Sequence, residues 1–407
     1  MENRYDKYKD SGIAWIGEIP EHWKVKKGKN LFKKEERPVR DNDEIVTCFR
    51  DGEVTLRSNR RIDGFTNAMK EVGYQGVRRG DLVIHNMDAF AGAIGVSDSD
   101  GKSTPVYSVC TPKNNVEANV YYYAYLLRSY ALGGVIQSLA KGIRERSTDF
   151  RYKEFGDLYY QQPPIEEQQS IASYLDQKCG EIDELITLQE EMITKLQSYK
   201  QSVITEAVTK GLDKNVPLKD SGIEWIGEIP EHWSVVKIKY LVKIKSGDSI
   251  SSNEIMQEGI YEVYGGNGLM GFCNKKNVDG VNIIIGRVGA LCGNVRLISE
   301  SKFITDNALI LNCFDNALYS YMYIMLKAAN LNNLNTSNAQ PLITGSKVLN
   351  VSLPIPPLSE QQSIADYLDQ KCSEIDELIS IKQQKIEKLK DYKKSLIFEC
   401  VTGKRKV

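Results

Sequence analysis

The sequence predicts an α+β chain in which two globular domains are separated by two long helices, the whole laid out as an internal repeat. Three observations predict it: a tryptophan-rich motif occurs twice, a helical motif occurs twice, and a segment of mixed strand and turn character follows each copy of the first. Residues 9 to 25 read KDSGIAWIGEIPEHWKV and residues 219 to 235 read KDSGIEWIGEIPEHWSV, identical at 15 of 17 positions with an offset of 210. Residues 163 to 186 (PPIEEQQSIASYLDQKCGEIDELI) and 356 to 379 (PPLSEQQSIADYLDQKCSEIDELI) agree at 20 of 24 positions with an offset of 193. The chain is therefore leading motif, variable segment and helix, then the same three parts again, a pseudo-twofold plan. The boundaries fall at 1–162 (leading motif and first variable domain), 163–212 (central helix), 213–355 (linker, repeated motif and second variable domain) and 356–407 (second helix).

In the leading motif, all four tryptophans (Trp15, Trp23, Trp225, Trp233) and two of the three histidines (His22, His232) are gathered. Each copy reads as an aromatic clip that packs its domain onto the rest of the chain, because Trp supplies large buried area. A lone imidazole beside a carboxylate, with no further ligand at helical spacing, argues against a metal or acid–base role.

Between Glu166 and Thr209 the only helix breaker is Gly180, and apolar residues recur at heptad spacing: Ile171, Leu175, Ile182, Leu185, Met192, Leu196, Tyr199 and Val203. Ile186 and Ile193 widen the stripe. From Ser359 to Thr402 the counterpart keeps Ile364, Leu368, Ile375, Leu378, Leu389, Tyr392 and Leu396 in register. Prolines at 163, 164, 356 and 357 set the starts, and Ser359 with Gln362 forms an expected capping box. A striped helix of about 66 Å must find a partner, so the two are expected to pair. The widened stripe leaves apolar area for helices of another subunit.

Residues 45 to 110 alternate short apolar runs (45–49, 82–85, 106–110) with turn signals at 50–52 and 99–101, and 117–130 looks helical. The second variable segment repeats this logic, with strand-like runs at 260–264, 281–285 and 304–313 and a helix at 315–329. Both read as compact α+β domains.

Composition narrows the function. The 407 residues include 41% hydrophobic and 26% charged residues, an ordinary globular profile that excludes disordered, collagen-like and disulfide-scaffold classes. The polar start and short aliphatic runs give no targeting or membrane segment, so a cytoplasmic protein is expected. Eight cysteines without any C-x-x-C pair read as free buried thiols rather than disulfides or a metal site. GVSDSDGKS (95–103) misses the P-loop spacing by one residue and reads as a hairpin loop, while YGGNG (264–268) and IGRVGALCG (285–293) lack the context of a dinucleotide fingerprint and read as tight hairpins. With no H-E-x-x-H, no G-x-S-x-G and no N/D-P-P-Y/F pattern, the chain is expected to be non-catalytic, without a cofactor or metal of its own.

A formal net charge of -1 argues against a uniformly basic nucleic-acid surface, but the charge is unevenly divided. Residues 26–162 hold 22 basic and 18 acidic side chains and residues 236–355 hold 11 and 8, so the variable domains carry +7 and the remainder -8. The basic and amide residues cluster: Arg57, Arg60, Arg61, Arg78, Arg79, Lys141, Arg144, Arg146 and Arg151 in the first domain; Lys275, Lys276, Arg287 and the tract with Asn335, Asn338 and Gln340 in the second. Arg pairs bidentately with guanine, and Asn or Gln with adenine, in the major groove, so these are candidate DNA-contacting residues. Arg and Lys that meet only phosphate position a domain without specifying sequence.

The repeated KDSGIxWIGEIPEHW, the two helix starts, and RRGDLVIHNMDAFAGAIGV (78–96), IIIGRVGALCGNV with ITDNALIL (283–311) and NTSNAQPLITGS (335–346) together resemble the specificity (S) subunit of a type I restriction-modification system, over essentially the whole chain. The resemblance implies that the variable domains are target recognition domains, each reading one half of a bipartite double-stranded DNA site. It implies an antiparallel coiled coil, with Leu175, Ile182, Leu185, Leu196, Leu368, Ile375, Leu378 and Leu389 in its seam, that fixes their separation. It also implies two methyltransferase (M) subunits carrying S-adenosylmethionine and modifying adenine, and restriction (R) subunits carrying ATP and Mg²⁺. A methylation-only system, or a coiled-coil scaffold without a nucleic-acid role, are the alternatives.

Overall fold

The computed structural model describes residues 4–60, 72–114, 116–139, 149–289, 291–315, 318–335 and 341–407. Two compact units emerge: residues 1–189 with 384–407, and residues 190–383. The division cuts through both long helices, which run Ile165–Lys210 and Leu358–Val401. Each unit therefore holds a leading motif, a variable domain, the start of one helix and the end of the other.

In the first unit the start of the first helix packs against the end of the second. Lys393 Nζ lies 2.6 Å from Asp183, and the Arg405 guanidinium lies 6.0 Å over the Tyr174 ring, so the two segments run antiparallel. In the second unit Lys200 lies 2.6 Å from Asp376, the same pair under the 193-residue repeat. Buried and half-buried positions alternate at four and three residues along both helices: Ala172, Leu175, Cys179, Ile182, Ile186, Gln189, Ile193, Leu196, Lys200 and Val203 on the first, and Ala365, Leu368, Cys372, Ile375, Ile379, Lys382, Ile386, Leu389, Lys393 and Leu396 on the second. A sustained period of 3.5 residues is the signature of knobs-into-holes pairing, and the seam lysines Lys200 and Lys393, each facing an aspartate, select the register.

Six of the eight expected seam residues take those positions; Leu185 and Leu378 do not. They are repeat equivalents, 43% and 47% exposed, and they belong to the neighbouring column with Leu188, Met192 and Tyr199 on one helix and Ile381 and Tyr392 on the other, all exposed. Four residues after Ile182, not three, the seam takes Ile186, because a 3.5-residue period alternates its steps. The expected capping box is also absent. The second helix already includes Ser359, whose carbonyl accepts from Ser363 Oγ, and Gln362 donates to Asp366. Pro357 and the buried Gln361, which donates to the Pro356 carbonyl at 2.8 Å, form the start instead.

Each leading motif ties a helix start to a helix end. Trp23 is buried and its Nε1 donates to Glu167 at 2.9 Å, while His22 Nε2 lies 2.6 Å from the same carboxylate. Trp233, His232 and Glu360 repeat the arrangement at 2.9 and 2.6 Å. The other face of Trp23 abuts Gly403, which follows the second helix at φ +73°; a Cβ there would come within 3.0 Å of the indole and 2.4 Å of Pro20. Only glycine meets both the left-handed backbone and the contact. The clip expectation thus holds for Trp23 and Trp233, whereas Trp15 and Trp225 remain 39% and 42% exposed.

The variable domains share a topology. The first contains a four-stranded antiparallel sheet in the order 32–34, 107–112, 82–85, 94–96, and the second a sheet in the order 242–246, 308–313, 282–286, 295–298. Helices Val120–Leu132 and Tyr319–Ala328 pack on them, near the expected spans. The apolar runs form central strands because they do not alternate with polar residues: Leu82, Val83 and Ile84 are all buried, as are Ile283, Ile284 and Ile285, with side chains buried on both sheet faces. The turn at 264–268 joins two paired strands, as expected, whereas strands 282–286 and 295–298 pair antiparallel but are too far apart in sequence for the expected tight hairpin. The 95–103 stretch differs: strand 94–96 pairs with 82–85 and strand 101–103 with 75–77, so the acidic turn connects two sheets. All eight cysteines are free, seven of them buried. Among the described residues no helix is long and apolar enough to cross a membrane.

Candidate nucleic-acid interface

Both variable domains are mounted in the same way. Strand Lys24–Lys27, leaving the leading motif, pairs antiparallel with Tyr159–Gln162, which enters the first long helix. Strand Ser234–Lys237 pairs with Ser352–Ile355 before the second helix, with Ser234 opposite Ile355. The two ends of each variable segment therefore meet on a two-stranded stem, and everything between is an insertion. Buried aromatic hydroxyls anchor the stems: Tyr130 donates to Gln161 at 2.6 Å, Gln161 donates to the Val401 carbonyl at 3.1 Å, and Tyr321 donates to the Pro354 carbonyl at 2.9 Å.

The candidate cations occupy three settings in the insertions. Arg57 and Arg60 line one cleft at the hairpin that joins strands 46–48 and 54–56. Arg57 Nε donates to Thr47 Oγ1 at 3.3 Å, while the exposed Arg60 lies 4.2 Å over the Phe49 ring and pairs with Asp51 and Glu53. Arg78 is held inside the fold, 3.1 Å from Asp43 and donating to the carbonyls of Val77 and Gly101 at 2.6 and 3.0 Å, so its charge serves the loop around it. Arg79 beside it is exposed, with its backbone N–H on Asp100.

In the second domain Lys275 and Lys276 are exposed, 2.7 Å from Glu254 and 2.5 Å from Asp279. The Lys275 ammonium, with Ser251, pushes the Glu254 carboxyl down to about 2. Arg287 opens the turn after the central strand; its guanidinium donates to Ser246 at 3.2 Å, and its buried Nε has no hydrogen-bond partner among the described residues. Asn335 accepts from the Leu342 backbone at 3.2 Å. Arg61, Lys141, Arg144, Arg146, Asn338 and Gln340 lie outside the described residues.

Strand pairing aligns the two domains residue by residue. Ile84 faces Ile94 across the sheet as Ile285 faces Val295, and His85 faces Tyr107 as Gly286 faces Ala308. Arg287 therefore stands where the first domain has Asn86, immediately after the central strand. The shared frame thus carries unlike side chains at one turn. Arg50, His85 and Met87 of the first domain also line this cleft, and no sequence pattern marks them, because only the fold brings the 49–60 hairpin beside the 85–88 turn. Among the described residues no group of His, Cys, Asp and Glu is placed to hold a metal ion.

Residues 230–391 match the family described as type I restriction modification DNA specificity domain. The type I restriction enzyme EcoprrI specificity subunit of Escherichia coli is 33% identical over 133 residues, 32% of this chain and 33% of that one. The type I restriction enzyme MjaVIII specificity subunit of Methanocaldococcus jannaschii is 26% identical over 323 residues, 72% of this chain and 72% of that one. Among solved structures, the HsdS subunit from Thermoanaerobacter tengcongensis superposes with a TM-score of 0.54 at 17% identity, over 95% of this chain and 98% of that one. A chain from a structure of type I R-M complex assembly superposes with a TM-score of 0.73 at 16% identity, over 94% and 98%, so the fold is shared.

Proposed function

The chain belongs to the family of type I restriction-modification specificity subunits, and from that premise we propose that it reads a bipartite, asymmetric double-stranded DNA target and directs partner subunits to it. The observation that carries this reading is the stem: two unlike insertions ride on one repeated frame, each closed by a strand pair. A repeated frame offers one partner two equivalent seats, while unlike insertions read unlike half-sites. The chain itself is non-catalytic. Adenine methylation belongs to methyltransferase subunits that bring S-adenosylmethionine, and ATP- and Mg²⁺-dependent cleavage belongs to restriction subunits.

The exposed second apolar column of each unit, Leu185 and Leu188 in the first and Leu378 and Ile381 in the second, supports docking of methyltransferase helices, since such columns seldom face water along a helix without a partner. The modest +7 of the variable domains fits a subunit that binds DNA weakly alone and firmly in complex. The test is cassette exchange. Replacing residues 236–355 with the corresponding insertion of another such protein is predicted to change one half of the methylated motif and to leave the other half intact.

A further inference from the structure

The first variable domain contains a cleft of about 960 Å³. Its walls are the 47–60 hairpin and the turn after the central strand, with Phe49, Arg50, Arg57, Arg60, His85 and Tyr107 among its lining. Two of its carboxylates are already held by arginines: Asp88 by Arg50 at 2.8 Å, and Asp51 by Arg60. Tyr107 fixes the His85 ring edge-on, with centroids 4.7 Å apart and planes at 82°.

His85 Nδ1 faces the Asp88 backbone N–H at 3.0 Å, an amide it shares with the His85 carbonyl at 3.1 Å, and lies 3.4 Å from the Asp88 carboxylate. A backbone amide can only donate, so Nδ1 accepts, and a neutral ring then carries its proton on Nε2. Burial lowers the His85 pKa, with Asp88 opposing and Arg50 assisting, which favours that neutral form. The cleft therefore combines a lining imidazole, protonated on Nε2 in this neutral form, with arginine charge and aromatic walls. The base edge with two acceptors in the major groove is guanine, through O6 and N7.

We propose that this cleft reads a guanine in the half-site of the first domain, with His85 Nε2–H as a specificity-determining donor supported by Arg57. The proposal rests on the DNA-reading function above and adds to it a base and a residue. In the second domain Gly286 takes the His85 position, so the imidazole contributes to one half-site only.

The experiment maps methylated motifs produced by the full complex with the wild-type chain, His85→Ala and His85→Gln. Loss of one hydrogen bond to a base edge is expected to weaken the preference at one guanine by about tenfold. That position lies in the half-site left unchanged by exchange of residues 236–355. His85→Gln, which keeps an N–H donor, is expected to retain the guanine. An unchanged motif in His85→Ala, a uniform fall in methylation without relaxation, as for a phosphate contact, or a relaxed position in a methylating His85→Gln complex overturns the proposal. Should His85→Ala fail to assemble, the His85→Gln motif decides. A wild-type complex with no bipartite motif would instead overturn the DNA-reading function itself.

Discussion

Glu167 and Glu360 show how one side chain can hold a junction. Each closes the first turn of a long helix, where a negative charge is favoured, and each accepts from a buried indole while meeting an imidazole. Glu167→Ala leaves the Trp23 N–H without its charged acceptor and is predicted to cost about 1–3 kcal/mol, and Glu360→Ala a similar amount. Urea titration checks both; equal stability of wild type and variants would refute the clasp. The sequence placed Trp23 and His22 beside each other but could not show their partner, because Glu167 lies 144 residues from Trp23.

A second residue-scale prediction concerns Glu254. Its carboxyl titrates at about 2, first through Lys275 and then through Ser251. A lowered carboxylate pKa stabilises the fold above the ordinary carboxylate range, and this contribution is lost as pH falls through the folded value near 2. Lys275→Ala is predicted to raise the midpoint toward the ordinary value, as read by NMR titration of the side-chain carboxyl. That pair also explains why a count of basic residues overstates the charge offered to DNA: Lys275, Lys276, Arg60 and Arg78 each face a carboxylate in the fold.

At the scale of elements, the helices and the sheets were legible to different depths. The extent of both helices could be read to within one or two residues, because their length and heptad spacing leave no alternative. Which apolar column forms the seam could not. Both columns carry apolar residues around residues 182–193, so heptad spacing by itself admits Leu185; the pairs Lys393–Asp183 and Lys200–Asp376 belong to the column of Ile182 and Ile186. The distinction is testable. Leu175→Ala, at a fully buried seam position, is predicted to cost about 2–5 kcal/mol. Leu185→Asp is predicted to change stability by no more than about 0.5 kcal/mol while weakening association with the methyltransferase partner, measured by pull-down or calorimetry. Unchanged association would mean that the exposed column does not dock the partner. In the variable domains strands were readable where they are continuous apolar runs, but the sheet order was not, since pairings such as 32–34 with 107–112 join strands distant in sequence.

For the whole molecule, the repeat arithmetic and the structure meet at the helices, each of which belongs to both compact units. If helix length sets the spacing of the half-sites, shortening must be matched in both partners. Deleting residues 193–199 together with 377–383 removes one heptad from each helix, roughly 10 Å of rise. The predicted result is a methylated motif whose spacer is shorter by about three base pairs; an unchanged spacer would contradict the ruler role. The overall neutrality of the chain likewise resolves into parts, with +7 on the insertions and -8 on the frame.

The central claim is that one frame carries two independent readers. Mapping methylated bases in cells that express the full system, with the native chain and with residues 236–355 exchanged, tests it most directly. One half of the motif is expected to be rewritten while the other half and the spacer stay the same; a motif altered in both halves, or in neither, would contradict two independent readers.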